Sequence, residues 1–374
     1  MAFDTDAIVI GAGAVGLAIA EVLTRRGLET IVLERNQQPG QGVSSRNSEV
    51  IHAGLYYPSG SLKAQLCVAG RRALYVFLSA HKVPHAKCGK LVVATEAEEV
   101  ERLDAILHQA AANRVEGVSR LSGAEARTLE PQLRCEAALL SSESGVMDAH
   151  GYMDALLGRI MGQGGAIAVN TPFAGASPLP EGGFRVRTGG EHPTEVTTRF
   201  LVNSAGLGAQ EAASQIERYP PETIPTLHFG KGSYFTMAGP APFSHLVYPL
   251  PVPGALGTHY RRDLGGQARF GPDLEYVDAP DYSVDPARAG DFYTAIRRFW
   301  PGLTDGALVP DYAGVRPKLH GAAEDQPDWR IDGVERHGLD GLVALYGIES
   351  PGLTASLAIG AHVADRLYPN PEKP

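Results

Sequence analysis

The chain opens on an almost unbroken apolar run, Asp6-Ala-Ile-Val-Ile, which stops at Gly11 and resumes after Gly16 with the spacing of a helix. A short continuous run bounded by glycine predicts a buried strand, and the stretch at 17–26 predicts a helix packed upon it. A second apolar run at 29–33 predicts another buried strand, ended by Glu34. Beyond it the pattern predicts a helix at 61–78, a strand at 90–95, a charged helix at 96–114, a helix around 144–164 and a strand at 166–170. Alternating positions at 184–187 and 195–201 predict a hairpin-like pair, and the second run leads into Val202-Asn203-Ser204-Ala205-Gly206-Leu207-Gly208. Residues 209–329 alternate in short strand patterns rich in Pro, Gly and Tyr, as an antiparallel sheet requires. The chain then shows a buried strand at 341–346, a turn at 347–354 and a helix at 355–367. In that turn Ser350 suits a helix cap and Pro351 the first helical position.

The first of these elements occur in an order that carries chemistry. Gly11-x-Gly13-x-x-Gly16, between a strand and a helix, is a dinucleotide fingerprint in its required context: Gly11 for the tight turn, Gly13 for close approach of a pyrophosphate, Gly16 for close helix packing. The helix start, through Ala14 and Val15, presents free N–H groups to phosphate. Glu34 lies 18 residues after Gly16, where a carboxylate accepts hydrogen bonds from ribose hydroxyls, and Arg35 follows it. One complete fingerprint implies one dinucleotide, FAD or NAD, rather than both on separate units.

Composition narrows the class. At 374 residues the chain exceeds one ordinary domain and has room to hide a large cofactor. Acidic residues outnumber basic ones, 42 to 33, with no run of Lys and Arg longer than a pair, which argues against nucleic acid as a partner. Cys67, Cys88 and Cys135 have no metal-like spacing and leave an odd thiol, so no metal site is expected and a reducing compartment is. Asp4 and Asp6 precede the first apolar run where a signal peptide needs positive charge, and no other run is long enough to span a bilayer. The expectation is cytoplasmic residence, with peripheral membrane association left open.

Two longer strings narrow it further. Ser44-Ser45-Arg46-Asn47-Ser48-Glu49-Val50-Ile51-His52-Ala53-Gly54-Leu55-Tyr56-Tyr57-Pro58 and Gly347-Ile348-Glu349-Ser350-Pro351-Gly352-Leu353-Thr354 lie about three hundred residues apart. Both resemble segments of L-2-hydroxyglutarate dehydrogenases, within the glycine oxidase/D-amino-acid oxidase superfamily of flavoproteins. The resemblance implies FAD and an α/β fold: a Rossmann-like FAD-binding domain (1–85, 145–208, 330–374) interleaved with an α+β substrate domain built on an antiparallel sheet (86–144, 209–329). It implies that Ser44, Ser45, Arg46 and Asn47 touch pyrophosphate or isoalloxazine edge, that Val169 meets adenine, and that Ala205, Gly206, Gly347 and Ser350 to Thr354 return to the cofactor. Hydroxyls, an amide and a guanidinium suit phosphate oxygens and a flavin rim. A helix start at the second string suits the negative charge of a reduced flavin.

Oxidation of a 2-hydroxy acid needs a base and a cation for the carboxylate. His52 is one candidate base, and it could instead touch or covalently hold the flavin. His259, in Leu256-Gly257-Thr258-His259-Tyr260, is the rival base. Arg316, in Ala313-Gly314-Val315-Arg316-Pro317-Lys318, resembles the arginine that faces the substrate carboxylate in this superfamily. Lys231 suits a second carboxylate of a small anionic substrate, and Tyr248 a phenol hydrogen bond. The chain departs from the family pattern at Asp273 and Glu49, so its flavin end matches more closely than its substrate end. The leading expectation is hydride transfer from L-2-hydroxyglutarate to FAD and on to oxygen or a quinone-linked acceptor. The alternatives are an amino-acid or sarcosine-type amine oxidase, an NAD-only dehydrogenase, and a non-catalytic nucleotide-binding sensor. The cysteine that holds flavin near the C-terminus of monomeric sarcosine oxidases has no counterpart, since no Cys follows position 135.

Overall fold

Thr5–Ile10 shows no polar alternation because both of its faces are covered. In the computed structural model, which describes residues 3–250, 257–322, 324 and 327–369, it runs parallel to Thr30–Leu33 on one side and Glu195–Asn203 on the other. Thr30–Leu33 pairs in turn with Ala166–Ala168. Glu195–Asn203 serves two further neighbours. Its first half runs antiparallel to Phe184–Thr188, and its second half runs parallel to Leu342–Tyr346. Phe173–Pro178 and Arg330–Asp332 complete an eight-stranded sheet.

Alternate residues of the first strand feed different cores. Ala7 and Val9 pack with the helices Ala14–Arg25, Leu62–Ala80, Ala149–Gly162 and Gly352–Leu367, around Leu17, Leu156, Ile359 and Val363. Ile8 and Ile10 pack on the other face with Phe184, Leu201, Tyr346 and the short helix Ala209–Ser214.

A second, nine-stranded sheet runs in the order Glu275–Val277, His228–Met237, Ala268–Phe270, Tyr260–Arg262, Leu246–Pro249, Lys90–Ala94, Ala137–Ser141, Val118–Ser122, with Leu308–Lys318 also paired to His228–Met237. Its pairs are antiparallel except that Leu246–Pro249 runs parallel to Lys90–Ala94. The sheet therefore collects segments from both sides of the stretch that returns to the first sheet, which makes the fold interleaved α/β with an α+β part. Among the described residues no helix is long and apolar enough to cross a membrane.

The expected helix around 144–164 starts late. Gly145–Met147 is a strand, joining Val50–Ile51 and His85–Ala86 in a small antiparallel sheet. The helix Ala149–Gly162 begins only after Asp148, whose carboxylate accepts the Gly151 N–H at 2.9 Å. The final helix, conversely, begins early, at Gly352, with Pro351 in the cap position and no side-chain cap. Ser350, expected to cap it, points elsewhere.

Candidate active site

A cavity of ≈ 570 Å³ opens where the parallel strands end. Ile10, Leu33 and Leu345 bring the C-terminal ends of three of them to its wall, the usual place for a ligand on such a sheet. Gly232, Tyr234, Gly314 and Arg316 of the second sheet close its other side. The volume falls in the range of small-molecule and cofactor sites.

At one end stands the glycine loop. Gly11 has φ +96°, and a Cβ there would lie 2.8 Å from the Ser204 carbonyl oxygen. A Cβ on Gly16 would lie 2.0 Å from the Gly11 carbonyl oxygen, so helix and strand meet more closely than any side chain allows. Glu34 is tied down on both oxygens: Oε2 accepts the Ala12 N–H at 2.9 Å, and Oε1 accepts the Asn36 N–H at 2.9 Å and its amide at 2.7 Å. Ser44 Oγ accepts the Ala14 N–H at 3.0 Å and shares the cavity wall with Gly13 and Val15. The first turn of Gly352–Leu367 reaches the same cavity through Gly352, Leu353 and Thr354. Two helix starts, neither capped by its own side chain, thus face one space, which fits a long ligand carrying negative charge. A glycine cradle, a fixed ribose acceptor and a second helix start suit the pyrophosphate, ribose and redox ring of FAD.

At the other end two histidines approach. His52 is buried; its N–H donates to Thr354 Oγ1 at 3.0 Å and its Nε2 lies 3.3 Å from Ser350 Oγ. Its Nδ1 is buried with no hydrogen-bond partner among the described residues. Burial, then the ammonium of Lys90, then His259 push its pKa well below the usual histidine value, so the ring is neutral. His259 stacks on Tyr248, ring centres 3.5 Å apart at 10°. Lys90 stands 3.9 Å from the centre of the same phenol ring. The Lys90 ammonium is fully buried, and burial pushes its pKa down to about 7.

The floor is made of strand positions without side chains. Gly232 faces Gly314, and Gly230 faces Arg316, across the pair His228–Met237 and Leu308–Lys318. A Cβ on Gly232 would lie 2.4 Å from Arg316 Nη2, so the guanidinium occupies the space over that glycine. Arg316 Nη2 donates to the Asp273 carbonyl oxygen at 2.6 Å. Two residues on, Lys318 is buried, its Nζ 3.1 Å from Glu349 Oε2, with Lys63 Nζ 3.9 Å from Oε1. Burial alone would raise the Glu349 carboxyl, but Lys318, Lys63 and Arg316 outweigh it and hold it below the usual range.

Of the expected site residues, the cavity gathers Gly11, Gly13, Ala14, Val15, Gly16, Glu34, Arg35, Ser44, Arg46, Asn47, His52, Ala205, Gly206, Gly347 and Ser350 to Thr354 with Tyr248, His259 and Arg316. Lys231, Ser45 and Val169 are not on its wall. Lys231 alternates with Gly232, so its buried ammonium points to the opposite face of the strand, where it is paired with Asp281. Ser45 Oγ is spent on the Gly42 carbonyl oxygen at 3.0 Å. Leu256, from the His259 segment, lies outside the described residues. Asp273 and Glu49, the departures from the family pattern, both have partners. Asp273 Oδ1 accepts the Ser233 N–H at 2.7 Å, and Glu49 lies 3.3 Å from the buried Arg261. Sequence reading passed over Lys90, Lys318, Glu349 and Arg261. The signal for Lys318 was its two-residue spacing from Arg316, which puts both on one strand face. For Lys90 it was a lone charge opening the otherwise apolar strand Lys90–Ala94.

Comparison with known proteins agrees with this geometry. Residues 6–366 match the DAO family, FAD dependent oxidoreductase. The chain is 43% identical to the mitochondrial L-2-hydroxyglutarate dehydrogenase of Arabidopsis thaliana, over 97% of this chain and 83% of that protein. It is 32% identical to the L-2-hydroxyglutarate dehydrogenase of Escherichia coli strain K12, over 97% of this chain and 93% of that one. Its fold is that of the dithionite-reduced, FAD-bound L-alpha-glycerophosphate oxidase of Mycoplasma pneumoniae, with a TM-score of 0.85 at 23% identity, covering 97% of this chain and 94% of the other.

Proposed function

The chain belongs to the DAO family of FAD-dependent oxidoreductases, and from that membership we propose that it oxidises L-2-hydroxyglutarate to 2-oxoglutarate. The observation that carries this reading is the meeting, in one cavity, of a dinucleotide cradle with a neutral buried imidazole and a guanidinium. FAD bound in the cradle supplies the acceptor for the hydride that leaves Cα. The cofactor is held by Gly11 to Gly16, Glu34, Arg35, Ser44 and Asn47, and by the turn at 347–354. In domain terms, 1–85, 145–208 and 330–374 hold the cofactor, while 86–144 and 209–329 hold the substrate.

Arg316 grips the substrate carboxylate with its guanidinium fork, and the Asp273 carbonyl oxygen fixes the orientation of that fork. His52 is the base: it is neutral without help from substrate, and its ring carries a nitrogen with no hydrogen-bond partner among the described residues. That nitrogen takes the hydroxyl proton as hydride departs. Ser350, at 3.3 Å, holds the other ring nitrogen. His259, clamped flat against Tyr248, walls the substrate in and has less freedom to act as base. Oxygen or a quinone-linked carrier is the second substrate.

The test is anaerobic. On adding L-2-hydroxyglutarate to the FAD-loaded protein, the absorbance near roughly 450 nm falls, because the cofactor carries the redox change. His52→Ala slows that fall by about 10²–10⁴-fold, and His259→Ala by less. A flavin that stays oxidised with hydroxy acids and is reduced by glycine, sarcosine or another amino acid would overturn the reading in favour of an amine oxidase.

A further inference from the structure

We infer that Arg46 is the residue that selects a substrate with a second anionic group, so that the site takes a dicarboxylic rather than a monocarboxylic 2-hydroxy acid. The inference rests on the hydroxy-acid reading above. Its basis is the glycine floor. Gly232 and Gly314 are direct partners across two antiparallel strands, so their missing side chains leave neighbouring gaps on one face. Arg316 fills the first, with Nη2 2.4 Å from where a Gly232 Cβ would stand. The backbone of Arg46 fills the second, its carbonyl oxygen 2.1 Å and its Cβ 3.4 Å from where a Gly314 Cβ would stand. Two guanidinium side chains therefore rise from adjacent points of one floor, and both line the cavity.

They differ in depth. Arg316 is held by the Asp273 carbonyl oxygen, whereas Arg46 is exposed at the rim, its guanidinium carbon 4.6 Å from the centre of the Tyr282 ring. Among the described residues Arg46 Nη1 makes one long contact, 3.5 Å, to the Ala313 carbonyl oxygen, which leaves most of its donor fork for a ligand. Tyr282 is not a loose neighbour. It follows Asp281, which pairs with the buried Lys231 and also accepts from Ser283 N–H and Oγ at 2.9 and 2.8 Å. Lys231 thus serves the second anionic group at one remove, by pinning the loop whose tyrosine steadies Arg46.

The test compares L-2-hydroxyglutarate with L-2-hydroxybutyrate, which lacks the second carboxylate, in wild type, Arg46→Met and Arg46→Lys, all with FAD content measured. The ratio of kcat/KM for the dicarboxylate over the monocarboxylate falls roughly tenfold to hundredfold in Arg46→Met, the loss of one charge-assisted hydrogen bond. The fall lies in KM, and Arg46→Lys restores part of it. An unchanged ratio overturns the inference, as does Arg46→Met protein that no longer retains FAD, because Arg46 then serves the cofactor. Wild-type protein whose flavin no hydroxy acid reduces removes the reading beneath the inference instead, and so is told apart from failure of the inference alone.

Discussion

Lys90 shares its surroundings with Tyr56, Tyr248, Cys67, Cys88, His52 and His259, and its ammonium rests on the Tyr248 ring rather than on a carboxylate. Its pKa of about 7 means that it is charged below neutrality and repels a proton on His52. Removing that charge in Lys90→Met raises the pKa of His52, although burial, the larger cause, still holds it down. A base must be neutral to act, so with His52 in the role proposed for it the acid limb of kcat/KM moves to higher pH, which a pH–rate profile reads directly. The same substitution has a stability signature. A lysine at about 7 when folded and 10.5 when unfolded binds fewer protons in the native state between those values, so wild-type stability climbs as pH rises through that window. Denaturant unfolding of Lys90→Met should lose that climb. Little of this was legible in the sequence: Lys90 is one of 33 basic residues, and its place at the head of an apolar strand marks it as buried but says nothing of the imidazole and phenol around it.

At the scale of elements, the sequence spoke clearly wherever an element was long or buried on both faces. Thr5–Ile10, Thr30–Leu33 and Leu342–Tyr346 appear as uninterrupted apolar runs because parallel strands have no wet face. Gly145–Met147 and Tyr260–Arg262 are three residues each, too short for a period to declare itself, and owe their pairing to distant partners. Helix contact made other demands that no periodicity carries. A Cβ on Gly360 of the last helix would lie 2.6 Å from the Ala18 carbonyl oxygen of the first. Backbone cannot swing aside as a side chain can. Gly360→Ala therefore costs about 1–3 kcal/mol in overpacking against about 1 kcal/mol gained in helix propensity. The expected net result is a lower apparent melting temperature and weaker FAD retention, checked by thermal melting with visible absorbance. An unchanged melt would mean that the two helices part without cost.

For the whole molecule, the charge cluster Lys63, Lys318 and Glu349 ties the helix Leu62–Ala80, the second sheet and the cofactor turn together at one point. The cavity beside it draws its walls from both large sheets and two helix starts, so a ligand filling it is bound only when all are in place. FAD should then behave as part of the structure: at free FAD about 1,000 times its Kd the folded state gains about 4 kcal/mol. The apparent melting temperature of stripped protein should rise with added FAD, and a melt indifferent to FAD would contradict a site shared between sheets. Sequence reading reached the glycine-loop end of this cavity, the proposed cofactor end, because contiguous strings carry it. The end proposed for substrate is assembled from single residues whose meaning is their neighbours. Thr5–Ile10 acquires its partner Glu195–Asn203 nearly two hundred residues later, and that strand in turn awaits Leu342–Tyr346. On a ribosome, then, the glycine loop meets Glu34 and Ser44 early but waits about three hundred residues for the turn that closes the cavity. Cofactor loading is by construction a late event in the biogenesis of the enzyme, and a nascent chain stalled before Leu342 would be a flavoprotein without a place for its flavin.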